Sequence, residues 1–101
     1  MGSQPITSFW GQDENKVFRY LYNKYAATLR YFSAKYLDND DTIEDVIQDA
    51  FVNLWEKRNE FTSENAIKAY LYKTVRSFSV DVIRRKDIVN RYAKKIIMEE
   101  D

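Results

Sequence analysis

Residues 42–58 have the sequence TIEDVIQDAFVNLWEKR, which predicts an amphipathic helix. At about 100° of rotation per residue, its apolar side chains gather on one side, as expected for a face buried in a core. This apolar side comprises Ile43, Val46, Ile47, Ala50, Phe51 and Leu54. The opposite side is acidic and hydrogen-bonding, with one apolar residue in its middle. It comprises Asp45, Gln48, Asp49, Val52 and Glu56. Such a row is either an ordinary solvated face or a contact surface.

The composition of the 101-residue chain is that of a single helical domain. Hydrophobic residues make up 45% and aromatic residues 16%, which excludes a disordered chain despite a charged fraction of 32%. Two glycines and one proline favour long helices with few turns. Cysteine and histidine are absent, so disulfides and thiolate metal sites are excluded and no cofactor is expected. The chain has neither an apolar run of about 18 residues nor a signal peptide, which predicts a cytoplasmic protein.

The charges are segregated although the net charge is zero. Residues 38–49 contain 6 acidic residues and 0 basic ones, whereas residues 66–95 contain 9 basic residues and 2 acidic ones. Two zones of opposite sign on one small domain predict two partners, one cationic and one anionic.

The first long helix is expected from Glu14 to about Tyr36, with Asp13 as its N-cap. Its predicted buried stripe comprises Val17, Leu21, Tyr25, Thr28, Leu29, Phe32 and Tyr36. Residues 37–41 form a short polar turn, so this helix and the helix over residues 42–58 are expected to pack as an antiparallel hairpin.

A third helix is expected from Glu64 to about Met98, capped by Thr62 or Ser63. One stripe of this helix is expected to close a three-helix core. The stripe comprises Ile67, Leu71, Thr74, Val75, Phe78 and Val82. The opposite face interleaves cations with aromatic and aliphatic side chains, as a nucleic-acid surface requires for phosphates and unstacked bases. It comprises Ala69, Tyr72, Lys73, Arg76, Val80, Ile83 and Arg84.

Two segments leave alternatives open. Phe61, in the loop over residues 59–63, either packs beneath the loop or shapes a pocket at its tip. After Lys86, apolar residues continue at helical spacing without an evident partner in the domain. This extension is either a packing fragment of a longer protein or an oligomer contact.

These sequence features distinguish between the possible classes of function. An enzyme is not expected, because the chain lacks a glycine-rich phosphate loop and a Glu-x-x-His pair. A tight helix-turn-helix that would bind duplex DNA is not visible either. A helical adaptor that binds only protein explains the acidic face but not the basic one.

The sequence also resembles region two of the bacterial extracytoplasmic-function (ECF) sigma factors. The resemblance is strongest in Asp45–Phe51 (DVIQDAF) and Leu54–Arg58 (LWEKR). It continues in Leu21–Tyr25 (LYNKY), Lys68–Lys73 (KAYLYK) and Asp81–Arg85 (DVIRR), and covers roughly residues 9–86. The family implies an all-α, compact three-helix domain that binds a coiled coil of the largest catalytic subunit of core RNA polymerase. The domain also recognises and melts the minus-ten promoter element.

The resemblance implies three groups of site residues. Polymerase-binding positions are Asp45, Gln48, Asp49, Val52 and Trp55. The base-capturing loop corresponds to residues 59–65, with Asn59, Phe61, Ser63 and Asn65. The promoter-reading helix contributes Lys68, Tyr72, Lys73, Arg76, Ser77, Val80 and Arg84. The expected DNA is the melted non-template strand, and an anti-sigma factor is a further expected partner.

The chain departs from the family at two points. Ser77 follows Arg76 where the family often has asparagine, which changes the expected sequence preference. The family also carries a second domain that reads the minus-thirty-five element, so the chain is expected to be a fragment or a reduced protein. The expected organisation is a tail or short helix over residues 1–12, the helical domain over 13–86 and an extension or linker over 87–101. Met1–Ser3 is consistent with a remnant of cloning.

Overall fold

Three α-helices and one 3-10 turn make up the chain between residues 9 and 99, the part that the computed structural model describes. Helix α1 spans Glu14–Ser33, α2 spans Asp40–Glu56 and α3 spans Glu64–Glu99, with the 3-10 turn at Arg58–Glu60. No strand occurs within residues 9–99, so the predicted all-α fold with a long C-terminal helix is confirmed. The expectations for residues 1–8 and 100–101 lie outside the described range.

Helix α1 ends three residues before the predicted Tyr36. The amide of Lys35 donates to the Phe32 carbonyl (3.2 Å), and the amide of Tyr36 donates to the Ser33 carbonyl (2.9 Å). These bonds span three residues rather than four, so the last turn tightens and the α-helix stops at Ser33.

Helix α2 is shifted toward the N-terminus by two residues at both ends. The Asn39 side chain caps it by accepting from the backbone amide of Thr42 (3.0 Å), so the helix begins at Asp40. At the other end the Arg58 guanidinium donates to the Trp55 carbonyl (2.8 Å), in the 3-10 turn that follows. The predicted caps of the other two helices are observed. Asp13 accepts from the Lys16 amide, and Ser63 accepts from the Ala66 amide.

Contacts between distant residues fix the direction of each helix. The Arg30–Glu44 ion pair (2.7 Å) joins the end of α1 to the start of α2. Arg58, just beyond α2, faces Glu14 at the start of α1 (3.1 Å). The two helices are therefore antiparallel, as the short connection predicts. Glu64 at the start of α3 accepts a hydrogen bond from Lys24 in the middle of α1, and Ser79 further along α3 contacts Ser33 at the end of α1. Helix α3 therefore runs parallel to α1.

The core forms where the three apolar stripes meet. All six predicted apolar residues of α2 are buried, together with Leu21, Tyr25 and Leu29 of α1 and Ile67, Leu71, Thr74 and Val75 of α3. Phe78 and Val82 are partly buried against this cluster. The prediction that Thr28 is buried is wrong: Thr28 is exposed, and Ala26 and Ser33 take buried positions on α1 instead.

A buried polar pair joins α1 to α3. The hydroxyls of Ser33 and Ser79 lie 2.9 Å apart, and both side chains have an exposed fraction of 0%. Each hydroxyl satisfies the other, which removes the cost of burying it unpaired. The small side chains also let the two helices approach closely at this level.

Trp10 extends the packed region ahead of α1. Its side chain is 1% exposed, and its ring meets the Trp55 ring edge to face at 6.2 Å. Gly11 follows with a φ of 63°, a left-handed conformation that favours glycine. Trp10 was expected to lie in a tail or short helix over residues 1–12, and its indole is part of the core cluster.

The Glu64 carboxylate ties the start of α3 to α1. It accepts from the Lys24 ammonium (2.6 Å), the Tyr20 hydroxyl (2.9 Å) and the Tyr25 hydroxyl. These donors, Lys24 first, lower the pKa of Glu64 to about 2. The same carboxylate raises the pKa of Lys24, whereas the pKa of Tyr25 is raised first by burial and then by Glu64.

We predict that Glu64→Gln lowers the free energy of unfolding by about 1 kcal/mol at neutral pH, because charge-assisted hydrogen bonds are lost. A depressed carboxyl pKa contributes stability above the unfolded pKa, and that stability is lost as the pH falls through the folded pKa. The gap between wild type and variant should therefore close between the ordinary pKa of 4.5 and about 2. Urea unfolding across a pH series measures this gap.

Glu56→Gln is the matched control, since Glu56 is exposed and takes no part in the ion pairs found within residues 9–99. It should leave stability nearly unchanged at every pH. A Glu64→Gln gap that stays constant down to pH 2 would contradict the proposed role of the carboxylate.

Candidate functional site

The acidic side of α2 faces away from the core, as predicted. Asp45, Gln48 and Asp49 are exposed, and Val52 keeps an exposed fraction of 53%. The helical rotation turns Gln48 toward the α1 edge of this face and Asp49 toward the α3 edge. Because the exposed Val52 side chain lies among acidic side chains, this face suits a partner surface that carries both cations and apolar area.

Trp55 occupies a more enclosed position than its neighbours on this face. Its ring packs edge to face on Phe18 of α1 at 5.3 Å, and Trp10 covers another side. The Arg58 guanidinium lies 4.0 Å from the ring centroid, while the Arg58 Nε faces the Glu14 carboxylate. Trp55 therefore offers a partner only part of its indole, and much of its role is to hold the end of α2 against α1.

A groove of about 480 Å³ runs between α2 and α3 beside the acidic face. Asp45 and Asp49 line its α2 wall, and Asp81 and Arg85 line its α3 wall. Three carboxylates against one guanidinium leave the groove negative. Sequence reasoning missed Asp81, although its position seven residues after the buried Thr74 indicates the same side of α3, toward α2.

The outward face of α3 forms an exposed shallow depression of about 320 Å³. It brings together five of the predicted DNA-binding residues with Asp81, at the border with the acidic groove. These five are Lys73, Arg76, Ser77, Val80 and Arg84. Val80 is half-buried and the other four are exposed, so an apolar floor lies among cations.

A second depression, of about 280 Å³, adjoins the first and leads toward the end of α2. It shares Lys73 and Ser77 with the first and adds Lys57 and Tyr70. The Lys57 ammonium lies 5.9 Å from the centroid of the Tyr70 ring. Sequence reasoning missed Lys57 and Tyr70, because neither belongs to the outward stripe and only the packing of α2 on α3 brings them together.

The loop before α3 presents its residues in different ways. Asn59 and Asn65 are exposed, whereas Ser63 uses its hydroxyl to cap α3. Phe61 is half-buried, and its ring lies 5.0 Å from the Tyr70 ring. Phe61 thus packs beneath the loop and also supports the aromatic wall of the second depression.

Lys68 and Tyr72 do not lie with the other predicted DNA-binding residues of α3. Helical rotation places both on the α1 side. The half-buried Tyr72 ring meets the Phe32 ring of α1 at 5.1 Å. Lys68 is exposed. A Tyr72→Ala change would remove packing on Phe32, so Tyr72 is a poor probe of base stacking.

The ion pairs distinguish two sets of cations. Lys24, Arg30 and Arg58 each reach a glutamate on another segment, and Arg30 lowers the pKa of Glu44 through a hydrogen bond. The cations of the α3 depression take no part in the ion pairs found within residues 9–99. They are Lys73, Arg76 and Arg84. Their charge remains available for an external anion.

The described part of the chain holds no cluster of three or more histidine, cysteine or carboxylate side chains suited to a metal ion. Among the same residues no helix has the length and apolar character needed to span a bilayer.

Comparison with known proteins identifies one family. The model of the family described as sigma-70 region 2 matches residues 21–88. Neither the curated proteins nor the solved structures gave a match. The matched range contains the acidic face of α2, the groove and both depressions. Because it covers more than half of the chain, this protein belongs to the sigma-70 region 2 family, whose members bind core RNA polymerase and recognise promoter DNA.

Proposed function

We propose that this domain binds core RNA polymerase through the outward face of α2 and melts and reads the minus-ten promoter element through the outward face of α3. Family membership supports the two partners. The observation that carries the residue assignment is the exposed depression over Lys73 to Arg84. Its cations, which take no part in the ion pairs found within residues 9–99, surround Val80.

The polymerase contact centres on Asp45, Asp49 and Val52. The carboxylates provide charge, and the open valine provides apolar area that a partner can cover. Gln48 and the accessible part of Trp55 add to the contact at the α1 edge. The partner is a coiled coil of the largest polymerase subunit, as in the ECF sigma factors that the chain resembles.

The DNA contact uses the melted non-template strand. Lys73, Arg76 and Arg84 meet phosphates, while Val80 and Tyr70 offer apolar area that only unstacked bases can reach. Paired bases are hidden in the stack, so this combination favours an open strand.

The loop over residues 59–65 captures one flipped base. Asn59 and Asn65 are exposed and supply amide donors and acceptors, and Phe61 and Tyr70 form the nearby aromatic wall. Unstacking a base costs a few kcal/mol, which a strand already melted by polymerase reduces. Ser77 lies between the two depressions and reads a base with a hydroxyl where the ECF family often has an amide.

The proposal also includes the subclass of the protein: it is an ECF sigma factor that acts in the cytoplasm. An anti-sigma factor is then a further partner. An anti-sigma factor that covers Asp45 and Asp49 would block access of polymerase to the same face. The exposed groove beside these residues supplies the surface for such a competitor.

We predict that Asp45→Lys together with Asp49→Lys weakens binding to core polymerase by several kcal/mol if the pairs are desolvated, and by less if they lie at the rim. Neither side chain is buried, so folding should persist. Titration of labelled domain with core polymerase gives the affinity, and circular dichroism checks the fold.

Asp38→Lys with Glu99→Lys is the matched control, because it makes the same change in net charge at exposed positions outside the groove. The control should bind nearly as wild type. If both variants bind core polymerase equally weakly, the loss of affinity reflects net charge rather than the acidic face. If the Asp45/Asp49 variant binds core polymerase as tightly as wild type, the acidic face is not the polymerase contact.

We predict that the triple change Lys73→Ala, Arg76→Ala and Arg84→Ala lowers the affinity for a single-stranded minus-ten probe by about tenfold or more. Each phosphate contact on a single strand contributes roughly 0.7 to the slope of log affinity against log salt, so the slope should become shallower by about 2. Fluorescence anisotropy in a complex with core polymerase, across a salt series, measures both.

The control removes three exposed cations away from the depression, Lys16 and Arg19 of α1 and Lys35 just after it, and should change the affinity and the slope little. Wild-type complex should also prefer the single-stranded probe over the same sequence as duplex. Equal binding of both probes, or an unaltered slope in the triple variant, would favour a helical adaptor that binds only protein.

A further inference from the structure

The last turns of α3 carry cations around an exposed apolar patch. A depression of about 370 Å³ lies at this end of the helix, and its lining is mainly apolar. The Met98 side chain is 68% exposed, and the aliphatic stems of the cations supply further apolar area. This surface, the basic tip, consists of Arg91, Lys94, Lys95 and Met98.

The charge of the basic tip is available to a partner. Arg91 pairs with Asp87 at 3.3 Å, and both side chains are more than half exposed, so this pair contributes little stability. Lys94 and Lys95 take no part in the ion pairs found within residues 9–99. Residues 84–95 contain 6 basic residues and 1 acidic one, so two tips repel each other. The basic tip therefore suits an acidic partner surface.

The acidic face of α2 has the complementary properties. Asp45, Asp49 and Val52 all line the groove of about 480 Å³, and the α3 wall of this groove adds the Asp81 carboxylate. Val52 is 53% exposed. The groove thus combines carboxylates with an open apolar side chain, as the basic tip combines cations with Met98. The two surfaces match in both charge and apolar area.

The basic tip cannot reach the acidic face of its own chain. Helix α3 is continuous from Glu64 to Glu99. Lys95 lies about 21 Å beyond Asp81 along the helix axis. Every side chain from Ile83 to Glu99 is exposed, so this part of the helix extends away from the core. The tip can meet such a groove only in another molecule.

We propose that the basic tip of one copy of this chain binds the acidic face of a second copy. Each copy carries one tip and one acidic face, so the contact is head to tail. The contact area is small, so the association is weak. Under the proposed function the acidic face is also the polymerase contact, and self-association then keeps the domain from polymerase until polymerase displaces the tip. The self-association itself does not depend on that function.

Sedimentation equilibrium of the whole chain, up to sub-millimolar concentration, measures the association. The tip variant is Arg91→Glu, Lys94→Glu and Lys95→Glu, which keeps the helix because glutamate has a high helix propensity. The face variant is Asp45→Lys with Asp49→Lys. Wild type should associate, and more weakly as salt rises. Each variant alone should associate at least tenfold more weakly, because like charges then meet.

An equimolar mixture of the two variants is the decisive sample. The native tip of the face variant meets the native acids of the tip variant, and the two reversed surfaces also have opposite charge, so association should return. The control is Lys16→Glu, Arg19→Glu and Lys35→Glu. It makes the same change in net charge as the tip variant at exposed positions elsewhere, and it should associate nearly as wild type does.

A wild-type chain that stays monomeric, or a mixture that associates no better than its components, would overturn the proposal. Binding of that monomer to phosphatidylglycerol vesicles would then assign the tip to an anionic membrane surface. Core polymerase in equimolar amount should dissociate the wild-type assembly. If every copy binds polymerase while the assembly persists, the self-association stands and the acidic face is not the polymerase contact.

Discussion

Burial of one side of α2 between α1 and α3 is the constraint on which the rest of the domain depends. Six apolar residues of α2 are buried, and the helix repeat then forces the acidic side outward. The same packing brings the end of α2 beside α3, where Lys57 meets Tyr70. The acidic face, the groove and the second depression therefore have a common origin in the packing of one helix.

The fold also determines which charges are available to partners. Lys24, Arg30 and Arg58 are engaged by glutamates that fix the directions of the helices. The cations on the outward side of α3 form no ion pair with another helix within residues 9–99. One set of cations thus serves the fold and the other remains for anions, which explains how a chain with no net charge presents a basic surface.

Local patterns in the sequence predict the helices, the Asp13 cap and the outward acidic row, because helix periodicity and capping depend on residues close in the chain. What the sequence could not predict depends on contacts between distant residues. Trp10 is buried because Trp55 lies beside it, and the Ser33 hydroxyl is buried because Ser79 satisfies it. Tyr72 illustrates the same limit, since only the position of Phe32 shows that its ring packs on α1.

The central claim is that the outward sides of α2 and α3 bind two different partners at the same time, polymerase at α2 and promoter DNA at α3. Its most direct test places a photo-crosslinking amino acid at Val52 or at Val80 in a promoter complex assembled with core polymerase. Val52 lies in the acidic face and Val80 in the basic depression, and neither is fully buried. The account predicts a crosslink from Val52 to the largest polymerase subunit and from Val80 to the non-template strand. Crosslinks from both positions to protein alone would contradict it.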